Sequence, residues 1–398
     1  MRKLLLLIVL IAMSGCLTKN STYSDTDLIE VVGEQLTQSI DLYNNLKTAQ
    51  LVSPRTVDAR TIKMVPSSDW TSGFYPGELW MMHELTGDDF WKEKALEFTL
   101  PLEQEKYNGR THDMGFKMFC SFGKAYQATK NPEYKEILLQ AAKTLSTRFN
   151  PNVDCIRSWD HNSDKWDFPV IIDNMMNLEL LFWAAKESGN ILYKDIAVSH
   201  AETTMKNHFR NDNSSYHVVD YNPETGVIEN KHTAQGYAHE SAWSRGQAWG
   251  LYGYTMVYRE TNDPKFLQQA EKIANYILNH PNLPANKIPF WDFDAPDIPK
   301  EPLDASAAAI TASALYELST FSDKGAEYNK AANQIMKTLS SPEFLSKVGT
   351  NNGFLLKHST GSKPANSEVD VPIIYADYYY LESLLRKHKN NLISNKFN

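Results

Sequence analysis

The sequence has few cysteines, no long hydrophobic segment and no excess of basic charge. Only 3 of its 398 residues are cysteine, and Cys120 and Cys155 lack the spacing of a zinc site. The apolar run at positions 4–12 is too short to span a bilayer. Acidic residues outnumber basic ones by 48 to 40, and no basic run occurs, so a nucleic-acid partner is not expected.

Several catalytic motifs are also absent. The chain has no Gly-x-Ser-x-Gly, P-loop or Gly-x-Gly-x-x-Gly pattern, which argues against serine hydrolases, nucleotidases and dinucleotide enzymes. No histidine forms an i, i+4 pair with a carboxylate in the manner of metalloproteases. The sequence therefore predicts no metal and no cofactor.

The N-terminus has the features of a secretory signal. Arg2 and Lys3 precede the apolar run, and the Met-Ser-Gly-Cys sequence that ends at Cys16 resembles a bacterial lipobox. This interpretation predicts a signal peptide at 1–15, a lipidated Cys16, a polar tether at 16–26 and one domain at 27–398. It also predicts a periplasmic, monomeric protein of a Gram-negative bacterium, attached to the membrane only through the lipid. An ordinary signal peptide with a chance cysteine is the alternative.

A pattern of Thr or Ser, a turn, an aromatic residue and an Ala-rich amphipathic stretch recurs along the chain. Its copies begin at Thr86, Thr129, Ser188, Thr261 and, more loosely, Thr320. Each copy has helical periodicity, with Asp, Asn or Pro where helices start. A more uniformly apolar helix is predicted before each copy, at Gly73–Leu85, Asp113–Ala128, Asp173–Lys186, Ser244–Arg259 and Ala305–Leu318.

Pairs of a buried helix and a half-exposed helix favour a closed double ring. Helices predicted at Asp27–Thr48 and Tyr375–Lys387 supply the remaining elements. The sequence thus predicts an all-α fold, an (α/α)6 toroid of six helical hairpins. An open helical solenoid is the alternative, which the irregular repeat spacing disfavours.

Polar residues are concentrated where the inner helices begin, and these ends converge at one mouth of a toroid. Asp113 and Asp173 each open an inner helix, and paired carboxylates are the usual equipment of glycoside chemistry. Asp173 follows Val170-Ile171-Ile172, so we expect its pKa to be raised and the acid to act as a proton donor. Each Asp alone is equally typical of a helix N-cap.

Two further residue types at this mouth have open interpretations. Arg245, flanked by tryptophan, needs an anion, which is either a local carboxylate or a substrate. The chain has 9 Trp, 20 Tyr and 17 Phe, and aromatic rings either fill cores or stack on sugar faces. The tryptophans near the mouth are Trp70, Trp159, Trp243, Trp249 and Trp291.

Seven strings along the chain resemble glycoside hydrolase family 88, the unsaturated glucuronyl hydrolases. They are SSDWTSGFYPGELW (67–80), HDMGF (112–116), DNMMNLELLFWAA (173–185), AHESAWSRGQAWGLYG (238–253), PFWDFDAP (289–296), DASAAAITASALYEL (304–318) and ADYYYLESLLR (376–386). The resemblance covers nearly the whole mature chain. It implies an (α/α)6 barrel without a metal cofactor.

The resemblance also implies a reaction and a site. The family hydrates the C4=C5 bond of a non-reducing-end 4,5-unsaturated uronic acid on small oligosaccharides left by lyases, here expected to be glycosaminoglycan disaccharides. Asp173 would be the general acid/base, and Asp113 the second essential carboxylate. The loop Lys357–Pro372 corresponds to a substrate-contacting region whose role, with the sulfation preference, stays open. The positions implied to line the uronate pocket are Trp70, His112, Trp159, His217, Gln235, Arg245 and Trp249.

Three other functions remain to be compared with this one. A related barrel could hydrate unsaturated rhamnogalacturonan fragments. The chain could instead be a non-catalytic sugar-binding lipoprotein, which the presence of both Asp113 and Asp173 disfavours. A toroidal sugar epimerase would be expected to use pairs of histidines as acid and base.

Overall fold

The computed structural model describes residues 24–396, with side chains to residue 392. The predicted signal peptide and Cys16 lie outside the described residues. The first helix, α1 (Asp25–Leu46), is capped by the Ser24 hydroxyl, which accepts the backbone N–H of Asp27. Residues 25 and 26 therefore belong to this helix and not to the tether predicted over 16–26, because the Ser24 cap starts the helix two residues earlier.

Twelve α-helices alternate between an outer and an inner ring within the described residues. The outer helices are α1, α3 (Asp89–Thr99), α5 (Pro132–Ser146), α7 (Leu192–Asn207), α9 (Pro264–Asn279) and α11 (Gly325–Leu339). The inner helices are α2 (Phe74–Thr86), α4 (Lys124–Thr129), α6 (Leu178–Ser188), α8 (Ser244–Thr261), α10 (Ala305–Leu318) and α12 (Ile374–Lys396). A π-helix (Gly115–Gly123) leads into α4, and a 3₁₀ segment (Ile172–Asn177) leads into α6.

The inner helices contact one another in chain order, with the π-helix that precedes α4 making the contact to α6, and α12 packs on α2 to close the ring. This closure confirms the predicted (α/α)6 toroid and excludes the open solenoid. The two rings differ in burial as predicted: α10 is buried along nearly its whole length, whereas α9 buries one face, which includes Phe266, Ile273 and Ile277. Burial of the inner helices on all sides explains why their sequences are apolar throughout.

The recurring Thr or Ser is a joint between an inner and an outer helix. It is the last residue of α2, α4, α6 and α8, where its hydroxyl donates to the carbonyl four residues earlier. The same oxygen accepts the N–H two residues later, at 3.2 Å in all four copies. The intervening residue has a positive φ in each copy (Gly87, Lys130, Gly189, Asn262). The looser copy at Thr320 lacks this arrangement, since its hydroxyl donates to the Glu317 carbonyl.

Short antiparallel strands, which the sequence did not predict, build the connections at the mouth. They are β1 (Ser53–Asp58), β2 (Thr61–Val65), β3 (Phe149–Asn150), β4 (Cys155–Ile156), β5 (Pro169–Ile171), β6 (Val218–Tyr221), β7 (Ile228–His232), β8 (Ser359–Ser362) and β9 (Ser367–Val371). They pair as β1-β2, β3-β4, β5-β6-β7 and β8-β9. No helix in the described part of the chain is both long and apolar enough to cross a bilayer.

Two of these sheets position the site. Strand β6 pairs with β5, and the backbone N–H of Ile172 donates to the carbonyl of His217 at 3.0 Å. This bond places His217 beside the residue that follows Ile172, which is Asp173. At the seam of the ring, the Thr56 hydroxyl donates to the Pro372 carbonyl at 2.6 Å, which joins β1 to the chain just after β9. The first and last mouth segments of the ring are thereby connected.

Candidate active site

A cavity of about 130 Å³ opens where the inner helices begin. Its size is well below the ~300–1,000 Å³ of pockets that hold drug-sized ligands, so it suits one terminal sugar ring. A larger cavity, of about 550 Å³, is lined by other parts of the inner helices and contains neither Asp113 nor Asp173. The smaller cavity is lined by Arg55, Trp70, His112, Asp113, Phe116, Trp159, Ile171, Asp173, Gln235, Arg245, Gly361, Ser362, Ser367, Glu368 and Tyr375.

Asp173 is a buried carboxyl group at the start of the 3₁₀ segment. Burial raises its pKa from 3.8 to about 7, and the nearby Asp113 adds to the rise. The Arg245 cation and the residue's own backbone N–H oppose it only in part. The indole N–H of Trp249 also favours the anion, although it makes no hydrogen bond of normal geometry. The predicted rise in the pKa of Asp173 is therefore confirmed, and the group can hold a proton near neutral pH.

His217 faces Asp173 as a neutral proton donor. Its Nδ1 accepts the backbone N–H groups of Ala234 and Gln235 at 3.1 and 3.2 Å, so the ring proton resides on Nε2. That nitrogen lies 3.7 Å from Oδ2 of Asp173. Burial lowers the pKa of His217 to about 3, which keeps the imidazole uncharged at neutral pH.

Asp113 lies just before the π-helix, next to His112. The Thr111 hydroxyl donates to its Oδ2 at 2.6 Å, and Nε2 of the buried His112 lies 3.3 Å from its Oδ1. Burial lowers the pKa of His112, so this imidazole is also neutral at neutral pH. The N–H of Phe116, in the first turn of the π-helix, donates to Oδ1 of Asn177 at 3.1 Å. This bond ties the segment that carries Asp113 to the one that carries Asp173.

Arg245 lines the cavity and is also a structural ion pair. Its guanidinium donates to Asp304 at 3.0 Å and to the carbonyls of Thr360 and Gly361 at 2.5 and 2.6 Å. Asp304 caps α10 through the N–H of Ser306. Of the two anions that the sequence allowed for Arg245, the local carboxylate is present. The arginine thereby fixes strand β8 against α8 and α10.

The tryptophans divide into two groups. Trp70 and Trp159 are half-buried and line the cavity; Trp70 packs on Tyr375 with ring centroids 5.0 Å apart. Trp249 is fully buried between Phe116 and Tyr379. Of the two uses that the sequence left open for Trp249, the structure shows the core one, because α8 turns this side chain inwards and leaves only its N–H towards Asp173. Trp243 and Trp291 are buried as well.

Several lining residues were not predicted one by one, although the resemblance implied that the loop Lys357–Pro372 contacts the substrate. The hairpin β8–β9 contributes Gly361, Ser362, Ser367 and Glu368, all within the loop whose role the sequence left open. Gln235 reaches this hairpin through its Nε2, which donates to the Gly361 carbonyl at 3.1 Å. Arg55, on β1, lies in no motif, and only its long-range pairing with Glu368 reveals it.

The arrangement is suited to proton transfer. It combines a carboxyl group that holds its proton near pH 7, a second carboxylate, two neutral imidazoles and two partly open indole faces. Among the residues that the structure describes, no three His, Cys, Asp or Glu side chains are grouped so as to hold a metal ion.

Comparison with known proteins finds relatives whose names agree with one another. No family model matches the sequence. The chain is 52% identical over 351 residues to an unsaturated glucuronyl hydrolase of Formosa agariphila, covering 88% of this chain and 86% of the relative. It is 33% identical to an unsaturated chondroitin disaccharide hydrolase of Streptococcus pyogenes, covering 90% and 92%. It also resembles the crystal structure of an unsaturated glucuronyl hydrolase specific for heparin, with a TM-score of 0.89, 49% identity and coverage of 92% and 98%.

Proposed function

Since the chain belongs to the unsaturated glucuronyl hydrolases of glycoside hydrolase family 88, we propose that Asp173 and Asp113 carry out the reaction in the cavity that they line. The protein is a glycosidase that hydrolyses glycosaminoglycan oligosaccharides ending in an unsaturated uronic acid. The observation that carries the residue assignment is the pKa of Asp173, which burial raises to about 7. Such a group is protonated in a large fraction of molecules at neutral pH and can act as a general acid.

The first step is protonation of the double bond. The Asp173 carboxyl gives its proton to C4 of the C4=C5 bond, and the ring oxygen shares the positive charge that forms at C5. Asp173 becomes a carboxylate, which the Nε2–H of His217, 3.7 Å away, can stabilise once the geometry tightens. Stabilising charge as it develops is what accelerates such a step.

The second step is attack of water at C5. The Asp173 carboxylate takes a proton from this water, which restores the acid for the next turnover. The product of hydration is a hemiketal at C5. Ring opening converts it to a ketone and leaves a hemiacetal at C1, which collapses to release the remaining sugar and an open-chain keto acid.

The other residues bind and orient the sugar. Asp113 lies close enough to Asp173 to raise the pKa of Asp173. In this proposal Asp113 accepts a hydrogen bond from the sugar ring and thereby orients the ring. Trp70 and Trp159, with faces in the cavity, stack on the apolar faces of the sugar. His112, Gln235 and Arg245 complete the walls.

Loss of the ultraviolet absorbance of the C4=C5 bond tests this proposal. The wild-type protein is incubated with unsaturated chondroitin, heparin and rhamnogalacturonan disaccharides, and we expect turnover of a glycosaminoglycan disaccharide. Asp173→Asn should abolish it, whereas Asp164→Asn, the same change at an exposed position, should not. Undiminished turnover by Asp173→Asn contradicts the assignment. Turnover of the rhamnogalacturonan disaccharide alone favours the related specificity, and binding without turnover favours a sugar-binding protein.

We also propose that Cys16 is lipidated and holds a monomeric enzyme at the membrane in the periplasm. The sequence supports this through the basic residues, the short apolar run and the Met-Ser-Gly-Cys ending. Mass spectrometry of the mature N-terminus tests it, with Cys16→Ser as the control that cannot be lipidated. An unmodified N-terminus in the wild type would refute the anchor. Light scattering of the domain checks the monomer.

A further inference from the structure

Asn174, the residue after Asp173, is a buried amide whose orientation is fixed by its donor side. Its Nδ2 donates to the carbonyl of Ile156, in β4, at 2.8 Å and to the hydroxyl oxygen of Ser158 at 3.4 Å. A backbone carbonyl can only accept hydrogen bonds, so the NH2 group of Asn174 must be the side of the amide that meets Ile156. Oδ1 of Asn174 therefore points away from this carbonyl.

Two buried polar atoms lie beside this amide without a hydrogen bond of normal geometry in the described part of the chain. They are Oδ1 of Asn174 and Nδ1 of His112, and both side chains are almost completely buried. The Asn174 side chain is close enough to His112 to favour the protonated form of that ring, so the two atoms are each other's partners. Because Oδ1 can only accept, Nδ1 of His112 must carry a proton. Otherwise two buried acceptors would face each other, which is unfavourable.

The charge of the His112 ring decides what its other nitrogen can do. Burial is the main cause of the lowered pKa of His112, and Asp113 and Asn174 act against it. The cations of Arg148 and Lys117 add to the lowering. The ring is therefore neutral at neutral pH and has one N–H. With that proton on Nδ1, Nε2 has a lone pair.

The lone pair on Nε2 of His112 meets an oxygen of Asp113. Nε2 lies 3.3 Å from Oδ1 of Asp113, and two lone pairs at this distance repel unless one proton lies between them. The Thr111 hydroxyl cannot supply this proton, because it donates to the other oxygen, Oδ2, at 2.6 Å. Asp113 and His112 then share one proton and form a pair without net charge. Oδ2 of Asp113 keeps a second lone pair for the hydrogen bond from the sugar ring.

We propose that Asn174 is a positioning residue, which fixes the proton of His112 on Nδ1 and so makes Asp113 share a proton with Nε2. The inference rests on the proposed function, because it concerns the carboxyl group that orients the sugar there. An uncharged pair does not repel the carboxylate of a uronic acid, whereas a free Asp113 carboxylate would. Negative charge at Asp113 also raises the pKa of Asp173, so the shared proton leaves burial as the main cause of that rise.

NMR of the protein labelled with ¹⁵N-histidine measures the tautomer of His112 directly. Long-range ¹H–¹⁵N spectra at pH 7 distinguish a ring nitrogen that carries a proton from one that has a lone pair, and His112→Gln identifies the His112 signals by their loss. We expect the wild type to have its proton on Nδ1. His217 provides the opposite tautomer in the same spectrum, since its Nδ1 accepts two backbone N–H groups. A wild-type His112 with a proton on Nε2 alone overturns the inference.

Asn174→Leu removes the acceptor for Nδ1–H. The ring should change to the Nε2–H tautomer, which donates to Asp113 and leaves it a full carboxylate. Because negative charge at Asp113 raises the pKa of Asp173, the pH at which kcat/KM falls should rise by about one unit. A merely structural role of Asn174 would lower the rate without moving this pH. Asn174→Asp keeps an oxygen for Nδ1–H and should keep the wild-type tautomer.

Asn177→Leu is the matched control. It removes the same amide from the same 3₁₀ segment, but the partner of Asn177 is the N–H of Phe116 and not His112. The rate of this variant should fall, because its change loosens the tie between the segments that carry Asp113 and Asp173. The tautomer of His112 should stay that of the wild type.

The outcomes separate this inference from the proposed function. No turnover of any unsaturated disaccharide refutes the proposed function, while a proton on Nδ1 of His112 still supports the role of Asn174. Retention of the Nδ1–H tautomer in Asn174→Leu, or its loss in Asn177→Leu, refutes the inference alone. If Asn174→Leu does not fold, the tautomers of the wild type and of Asn174→Asp decide the question.

Discussion

Nε2 of His217 and Oδ2 of Asp173 lie 3.7 Å apart, and the nitrogen is the one that carries the proton. The distance is too long for a full hydrogen bond, so the imidazole leaves Asp173 with a raised pKa. Because burial keeps His217 uncharged, this imidazole adds no positive charge that would favour ionisation of Asp173 before the reaction. His217 is therefore placed to stabilise the Asp173 anion only as that anion forms.

The first prediction concerns the pH dependence of turnover. We expect kcat/KM to fall as the pH rises through about 7, since Asp173 must be protonated to act and burial raises its pKa to that value. Titration of His217 does not change the rate between pH 4 and pH 9, because burial lowers its pKa to about 3. Initial rates with an unsaturated disaccharide, measured at low substrate concentration from pH 5 to pH 9, check this. A flat profile would contradict the assignment of Asp173 as the acid.

His217→Asn tests the donor to Asp173. The Asn Oδ1 takes the place of Nδ1 and can still accept the N–H groups of Ala234 and Gln235, whereas the Nε2–H is lost. We expect kcat to fall by ~10- to 100-fold, because one preorganised donor to the developing anion is lost. The pH at which the rate falls should stay where it is in the wild type, because His217 makes no full hydrogen bond to Asp173 before the reaction.

His239→Asn is the control for this change. His239 also accepts a backbone N–H at Nδ1, from Thr233, but it is exposed and its ring packs on that of His232. Its rate and pH profile should match those of the wild type. If His217→Asn keeps the wild-type kcat, the Nε2–H of His217 has no part in the reaction.

Asp173→Asn should stabilise the fold while it abolishes turnover. In the native state the pKa of Asp173 is raised from 3.8 to about 7, so the wild type loses stability as the pH rises from about 4 to about 7. Below pH 4 the group is protonated in both the folded and the unfolded state, and the effect vanishes. Above pH 7 the loss is complete and amounts to a few kcal/mol, at about 1.4 kcal/mol per pKa unit.

Urea unfolding of both proteins between pH 5 and pH 8.5 checks this linkage. The free energy of unfolding of Asp173→Asn should exceed that of the wild type by an amount that grows with pH and levels off above pH 7. Asp164→Asn, at an exposed position, should show a difference that is small and independent of pH. A stability difference that shrinks as the pH rises would contradict the raised pKa of Asp173.

Features that depend on contacts between residues close in the chain were predictable from the sequence, whereas features that depend on contacts between distant residues were not. The helical hairpins were predictable because each joint between helices is local. At the first joint, the Thr86 hydroxyl bonds only to the carbonyl four residues earlier and the N–H two residues later. The raised pKa of Asp173 was predictable from its apolar neighbours in the chain. Glu368 and Arg55 were not, because 313 positions separate the two partners and only closure of the ring brings them together.

The short strands and the direction of the Trp249 side chain could not be predicted from the sequence for a related reason. Strands β5 and β6 have three and four residues, too few for a periodic signal, and pairing across about fifty positions decides them. Trp249 belongs to a helix that is buried on all faces from Ser244 to Val257, so no pattern tells which face meets the cavity. Such a sequence predicts burial but not direction.

The last prediction concerns the contact that sets the spacing of the two carboxylates. Gly115, in the first turn of the π-helix, lies so close to the 3₁₀ segment that an added Cβ would be 2.6 Å from Cα of Asn177 and 2.8 Å from its Oδ1. Gly115→Ala must push these segments apart and disturb the bond from Phe116 N–H to Asn177. Asp113 then moves relative to Asp173, and a displacement of about 1 Å can lower kcat by ~100-fold.

Gly250→Ala provides the matched control, because Gly250 also lies in a buried inner helix. The nearest atom to its added Cβ is 3.4 Å away, at Cζ of Phe209, which is an ordinary contact. This variant should keep its activity and gain about 0.5–1 kcal/mol from the better helix propensity of alanine. Unfolding curves and kcat are measured for both variants, so that a folded but slow Gly115→Ala is distinguished from an unfolded one. If folded Gly115→Ala turns over substrate at the wild-type rate, the close approach at Gly115 serves packing alone and does not set the geometry of the acid and its partner.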